Sequence, residues 1–195
     1  EEQHLALSIG TDIAHERYAN WIRIFNAFFA TTFCTAFFLS SLSFILIGFT
    51  PETTIGFIPI QLIAAIMPVG FLIMAIRFAV MAPSVKGARI IPYLGIVLGV
   101  LLGIGPLVNI IYTVSFQPPP FVDMLSEFFY AFSTMGAIPI IILLIIAAFT
   151  GTPIFIILGG IAYMLFARRS APLEIIANES YTMLTSNSLP AIPLF

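Results

Sequence analysis

Apolar residues fill long stretches of the chain in which no formally charged residue occurs. Four such windows cover residues 24–51, 53–76, 90–122 and 128–167. A helix rises about 1.5 Å per residue and the hydrocarbon core of a bilayer is about 30 Å thick, so about 20 apolar residues suffice for one crossing. The first three windows therefore each predict one membrane-spanning helix. Trimmed by turn residues, these are span A at about 22–48, span B at about 57–82 and span C at about 90–114.

The fourth window is too long for one straight crossing and contains helix breakers. Pro139 lies near its start and Gly151-Thr152-Pro153 in its middle. We therefore predict two segments, D at about 128–150 and E at about 152–167, with a helix break at Gly151 and Pro153. Segment E is only about 24 Å long if fully helical. A hairpin with a tight turn at Gly151 and a helix broken at membrane depth, as in transporter folds, both fit this pattern.

Amphipathic stretches flank these spans. Residues 1–20 carry Leu5, Ile9 and Ile13 at spacings of four among charged residues, which predicts an interfacial helix. Residues 172–188 form a second candidate, in which Pro172 suits the first turn. The sequence thus predicts an all-α integral membrane protein with four to five transmembrane helices and two interfacial amphipathic helices.

Basic residues in the short connections predict the orientation. Arg168 and Arg169 follow segment E and disagree with the rest, because two crossings by D and E would leave them outside. Either segment E does not fully cross, or these arginines are interface anchors, a role that we also assign to Trp21, Arg23 and Arg77. The remaining basic residues place the N-terminal flank and the connection between spans B and C in the cytoplasm: Arg17, Arg23, Arg77, Lys86 and Arg89.

The composition excludes a water-soluble globule. Apolar residues make up 60% of the 195 positions and charged residues 8%, whereas a soluble domain has roughly 45–50% and about 25%. The net charge of −2 comes from scattered residues, so no basic surface for nucleic acid is expected. The single cysteine, Cys34, can form no internal disulfide.

Catalytic and metal-binding patterns are not found in the sequence. The two histidines, His4 and His15, are eleven residues apart and cannot bind one metal from one helix. We predict no catalytic residue, no metal site, no cofactor and no charged residue at mid-membrane. Uncharged polar residues in the spans are expected to make helix–helix hydrogen bonds: Asn26, Ser40, Ser41, Ser43, Gln61 and Asn109.

Three glycines in span C share one helix face. Gly95, Gly99 and Gly103 are spaced by four residues, so a neighbouring helix can approach closely there. We interpret this face as a helix-packing surface, with a cofactor groove as the alternative.

Several short runs resemble, in chain order, those of a known transporter family. They are Glu2-Gln3-His4-Leu5, Pro68-Val69-Gly70, Met74-Ala75-Ile76-Arg77-Phe78, Gly151-Thr152-Pro153-Ile154, Pro172-Leu173-Glu174 and Leu189-Pro190-Ala191-Ile192-Pro193-Leu194-Phe195. The order is similar to that in the membrane component of tripartite ATP-independent periplasmic (TRAP) transporters, in the form that fuses the small (Q-type) and large (M-type) subunits. The resemblance assigns residues 1–85 to the small subunit, 86–120 to a connector with the Pro118-Pro119-Pro120 linker, and 121–195 to the start of the large subunit.

The resemblance implies a sodium-coupled importer of organic acids such as a C4-dicarboxylate or sialic acid. Such a permease lies in the bacterial cytoplasmic (inner) membrane, receives substrate from a periplasmic solute-binding protein and moves a transport domain against a fixed scaffold like an elevator. Its substrate and sodium sites are expected beyond Phe195, in the remainder of the large permease subunit. The chain starts without methionine and stops in an apolar run, so we expect it to be part of a longer polypeptide contributing scaffold.

Two other functions also fit the sequence. One is a non-transporting membrane anchor or assembly subunit that packs through the glycine face of span C. The other is a proton-coupled secondary transporter that needs no binding protein.

Overall fold

The computed structural model describes residues 16–49, 54–55, 57–82, 88, 90–115 and 119–185. This part of the chain is almost entirely helical. Its elements follow in the order α1 (Glu16–Gly48), β1 (Thr54–Ile55), β2 (Ile58–Pro59), α2 (Ile60–Ala64), α3 (Ile66–Val80), α4 (Ile91–Leu102), α5 (Ile104–Val114), α6 (Phe121–Phe149), α7 (Ile154–Arg168) and α8 (Glu174–Thr185). The two short strands form an antiparallel hairpin.

Among the described residues, three stretches are helical, long and apolar enough to cross a membrane. These are Tyr18–Gly48, Ile60–Val80 and Phe121–Phe149, and α4 with α5 makes a fourth if the bent pair counts as one span. Helix α7 is apolar but has 15 residues. The protein is thus compatible with an all-α membrane protein that has three to four spans by length, against the predicted four to five.

Helix α1 occupies the centre of the bundle. In its most apolar 18-residue window 78% is buried, against 22% in the corresponding windows of α2–α3 and α6. Helices α3, α4, α5, α7 and α8 all pack against it. Since the other long helices keep most of their apolar surface exposed, they form the outer layer of the bundle.

Contacts along α1 set the direction of its neighbours. Helix α4 runs parallel to α1, because Gly95 lies at Phe28 and Gly103 at Leu39. The α6–α7 turn lies at Asn26, whereas the residue before α8, Leu173, lies at Ser40. Helix α7 therefore also runs parallel to α1, and α6, which packs against α7, runs antiparallel.

Span C is not the single straight helix that we predicted. Helices α4 and α5 meet at Gly103 and are bent by 50°. Pro106 has no N–H, so it cannot bond to the carbonyl of Leu102 four residues earlier. The hydroxyl of Tyr163 on α7 donates to this carbonyl over 2.9 Å. A neighbouring helix thus satisfies the acceptor that the proline leaves open.

Span B is also interrupted. Helix α2 ends at Ala64 and α3 starts at Ile66, and Pro68 cannot donate to the carbonyl of Ala64. The helical hydrogen bonds before and after this gap are present: the amide of Ala65 donates to the carbonyl of Gln61, and the amide of Val69 donates to the carbonyl of Ala65. The proline therefore accounts for the interruption within one apolar run.

Segment D is longer than predicted. Helix α6 starts at Phe121 rather than near residue 128 and continues through Pro139 without a break. Pro120 precedes the helix and Asp123 lies in its first turn, where a carboxylate is favoured by the helix dipole. The Tyr112 hydroxyl of α5 donates to the Asp123 carboxylate and links the ends of the two helices.

The two flanking stretches differ in what the structure describes. Most of the predicted N-terminal interfacial helix, residues 1–15, lies outside the described residues, and residues 16–20 continue directly into α1. The second stretch contains α8. Ala177 of α8 is buried, and the helix packs on α1 and α7.

Candidate functional site

The glycine face of α4 lies against α1 of the same chain. A methyl group built on Gly95 would lie 2.8 Å from the carbonyl oxygen of Phe28, and one on Gly99 would lie 2.5 Å from that of Thr32. At Gly103 the methyl would overlap Leu39. The two helices therefore meet backbone to backbone at Gly95 and Gly99, as small residues allow in membranes.

Helix α7 packs against another face of α1, where its glycines contact phenylalanine rings of α1. A methyl on Gly159 would lie 2.7 Å from the Phe37 ring, and one on Gly160 would lie 3.1 Å from the Phe33 ring. The buried ring of Tyr163 contacts Phe33 and Phe37 edge-on, at centroid distances of 6.5 and 5.9 Å. These contacts fix the register of α7 on α1, because the rings of Phe33 and Phe37 fit beside the two glycines and against the Tyr163 ring.

The break between α6 and α7 is tied to α1 by one amide side chain. Gly151 adopts φ 90°, a conformation that glycine adopts at little cost. Asn26 donates through Nδ2 to the carbonyl of Thr150 over 2.7 Å. Its Oδ1 accepts from the hydroxyls of Thr150 at 2.6 Å and Thr152 at 3.0 Å. With Pro153 directly before α7, the turn is a tight corner that the Asn26 side chain holds by three hydrogen bonds.

A polar junction lies at the other end of the bundle, where α1, α5 and α8 meet. We use this name for Ser40, Ser43, Asn109 and Glu174. The Ser40 hydroxyl donates to the carbonyl of Leu173 over 2.6 Å. The Ser43 hydroxyl and the Asn109 Nδ2 both donate to Glu174 Oε1, at 2.6 and 2.8 Å. Of the predicted hydrogen-bonding residues, Ser43 and Asn109 thus bond to another helix, whereas Asn26 and Ser40 bond to residues in the turns before α7 and α8.

Ser41 and Gln61, also predicted to bond between helices, have local partners. The Ser41 hydroxyl donates to the carbonyl of Phe38 within α1. Gln61 donates from α2 to the carbonyl of Phe49, just after α1. The first bond lies within one helix, and the second links α2 to the residue that follows α1.

Two small cavities flank the polar junction. One, of about 140 Å³, has Asn109, Ser126, Tyr130 and Ser170 in its wall and lies between α5, α6 and the turn before α8. The other, of about 160 Å³, is mostly apolar and lies between α1, α3, α7 and α8, with Phe37 and Phe71 in its wall. Each is smaller than a typical pocket for a drug-sized ligand.

The predicted interface anchors are exposed at the ends of helices. Trp21 is 52% exposed in the early turns of α1, and Arg23 is exposed next to it. Arg77 is in the last turn of α3 and donates to the sulfur of Met81. Arg168 and Arg169 are exposed at the end of α7.

Sequence reasoning missed Glu174 as a member of a buried polar junction, and it missed Tyr163 as the donor at the bend. The signals were weak, because Glu174 reads as an acidic first-turn residue and Tyr163 as an interfacial aromatic. Within the part of the chain that the structure describes, no three His, Cys, Asp or Glu side chains come together.

Comparison with known proteins gives no relative from which a function could be transferred. No family model matches the chain. No curated protein matches it, and no solved structure does so either.

Proposed function

We propose that this chain is the stationary membrane scaffold of a sodium-coupled, binding-protein-dependent importer of organic acids, of the TRAP type. The observation that carries the proposal is the packing around α1, which is mostly buried and which α4 approaches at backbone distance. The ordered sequence runs that resemble the fused small and large subunits support the finer assignment. A scaffold needs a rigid frame, whereas a moving domain needs surfaces that slide.

The contacts of α1 support a frame. The carbonyl groups of α1 leave no room for even one added methyl at Gly95 or Gly99, and Asn26 makes three hydrogen bonds to the α6–α7 corner. Interlocked surfaces of this kind have discrete arrangements and do not slide continuously. Relative movement of α1, α4 and α7 would break these contacts together.

The outer faces of α3 and α6 would meet lipid or the moving part of the permease. Exposed apolar side chains cover them, for example Ile66 at 73%, Ile73 at 60% and Met135 at 83% exposure. A soluble monomer rarely exposes apolar surface of this extent. We assign the protein to the bacterial cytoplasmic membrane as a multi-pass component, with a periplasmic solute-binding protein and the rest of the large subunit as partners.

Transport by the native full-length gene product, reconstituted in liposomes, tests the proposal. We expect uptake of radiolabelled C4-dicarboxylate or sialic acid only with an inward sodium gradient and only with the cognate solute-binding protein present. Uptake driven by a proton gradient without a binding protein would support the proton-coupled transporter instead. An absence of uptake under every gradient would overturn the assignment.

A non-transporting assembly subunit is the second candidate, favoured by the same exposed apolar faces. The glycine face of α4 is already covered by α1, so such a subunit would bind its partner through α3 or α6. Ile73→Arg on α3 or Met135→Arg on α6 would then release the partner from detergent-solubilised membranes. Under the importer proposal, by contrast, the surfaces that pack against α3 and α6 include the remaining large-subunit segments of the same polypeptide.

A further inference from the structure

We propose that the polar junction binds a hard monovalent cation, with the carboxylate of Glu174 as its charged ligand. The site lies where α1, α5 and α8 meet and does not depend on whether the protein transports organic acids. Its evidence is an unsatisfied buried oxygen, the donor chemistry around it and an adjoining polar cavity.

The first observation concerns the second carboxylate oxygen of Glu174. Oε1 accepts two hydrogen bonds, from Ser43 and Asn109. Oε2 is shielded from solvent and has no hydrogen-bond partner among the described residues. A buried polar atom without a partner costs about 1–3 kcal/mol, and a charged one costs more. The folded bundle therefore leaves one carboxylate oxygen for a ligand.

The groups around Glu174 are hydrogen-bond donors and a helix N-terminus. Both neighbours of Oε1 donate hydrogen to it, and Glu174 is the first residue of α8, where the helix dipole is positive. No Lys or Arg among the described residues is hydrogen-bonded to the carboxylate. A carboxylate with a shielded oxygen gains from a positive partner that offsets the desolvation. A bound cation would supply it.

The donor set selects the class of cation. Apart from the Asn109 amide nitrogen, the atoms that form the hydrogen bonds of the junction are oxygens: the carboxylate of Glu174, the hydroxyls of Ser43 and Ser40, and the carbonyl of Leu173. Oxygen ligands favour hard cations, whereas transition metals favour imidazole and thiolate. A calcium site usually contains several carboxylates. One carboxylate matches one positive charge, so we assign an alkali cation.

The adjoining cavity gives the cation a polar route. Asn109 belongs to both places, since it lines the cavity of about 140 Å³ and donates to Glu174. Leu173, whose carbonyl accepts from Ser40, also lines it. Hydroxyl groups of Ser126 and Ser170 complete a wall in which a partly hydrated ion can be held.

Equilibrium binding of ²²Na⁺ to the protein in lipid nanodiscs tests the site, together with thermal unfolding in NaCl, KCl, LiCl and choline chloride at equal ionic strength. We expect saturable Na⁺ binding and a rise in Tm of about 3–6 °C when Na⁺ is ten times its Kd. Glu174→Gln should weaken binding at least tenfold. Glu179→Gln, which changes an exposed glutamate on the same helix, should leave binding unchanged.

Other outcomes decide against the site. Equal Tm in all four salts and no saturable ²²Na⁺ binding to the wild-type protein would overturn it, whether or not any variant folds. Stabilisation by Ca²⁺ alone, or by acid alone without dependence on the cation, would also overturn it. If Glu174→Gln does not fold, Asn109→Ala replaces it, and unchanged Na⁺ affinity in that variant contradicts the assignment.

Discussion

Gly99 is the glycine of α4 at which an added methyl group would come closest to a backbone atom of α1. The atom it would meet is the carbonyl oxygen of Thr32, which belongs to the backbone of a buried helix and cannot rotate away. We expect Gly99→Ala to lower the free energy of unfolding by about 1–3 kcal/mol, as overpacking does in other cores. Reversible unfolding in mixed micelles measures this change.

Gly70 on α3 provides the matched control. A methyl group there has no atom within 4 Å, and alanine is a better helix former than glycine by about 1 kcal/mol. Gly70→Ala should therefore leave stability unchanged or raise it. Equal destabilisation by both substitutions would show that the close approach of α4 to α1 does not govern stability.

The glycines of α4 and Glu174 differ in how far their roles can be predicted from the sequence. The four-residue spacing of Gly95, Gly99 and Gly103 is enough to predict one packing face, because the helix period alone brings them together. It cannot identify the partner, which is α1. Glu174 is the opposite case, since its partners Ser43 and Asn109 are distant in sequence and only the folded chain brings them together.

At the scale of elements, the bend between α4 and α5 depends on a donor from α7. The Tyr163 hydroxyl donates to the carbonyl that Pro106 leaves without a partner. We expect Tyr163→Phe to cost about 0.6–2 kcal/mol, the range for helix–helix hydrogen bonds in membranes. The same unfolding assay measures it, and Tyr93→Phe at an exposed position should have no effect. A neutral Tyr163→Phe would mean that the bend is set within the helix pair alone.

The corner between α6 and α7 is a second element-level link. Asn26 and Thr152 are bonded through Oδ1 and a hydroxyl, so their substitutions should not be additive. In a double-mutant cycle of Asn26→Ala and Thr152→Val, we expect a coupling energy of about 0.5–2 kcal/mol. Asn26→Ala with Thr113→Val on α5, a residue that bonds only within its own helix, should be additive. Additivity in both cycles would contradict the link.

Helices could be predicted from the sequence where a long stretch is uniformly apolar, but not where a neighbouring helix determines whether the helix continues. The charge-free windows correctly indicated α1 and the corner at Gly151, because hydropathy and glycine act locally. The interruptions of spans B and C carried a signal, Pro68 and Pro106, yet Pro139 leaves α6 continuous. Whether a proline breaks a helix depends on what receives the freed carbonyl, and that partner lies elsewhere in the fold.

At the scale of the whole molecule, the contacts along α1 give a topology. The start of α1 and the α6–α7 corner share one end of the bundle. The polar junction, at Ser43 and Glu174, marks the other end, about 25 Å away along the helix axis. Helix α7 runs beside α1 over most of this distance, so we expect it to cross the membrane despite its 15 residues. On that expectation Arg168 and Arg169 are interface anchors at the end of the bundle opposite the start of α1.

Cysteine labelling from each side of the membrane checks this topology. In a Cys34→Ala background, a membrane-impermeant maleimide should label Tyr18→Cys and Met81→Cys from one side, because α3 returns to the start of α1. Met124→Cys and Arg169→Cys should label from the opposite side, and all four original side chains are exposed. Inverted and right-side-out vesicles separate the two pairs. Labelling of Arg169→Cys together with Tyr18→Cys would mean that α7 turns back within the bilayer. That result would also count against the proposed scaffold, since α7 would not cross the membrane beside α1.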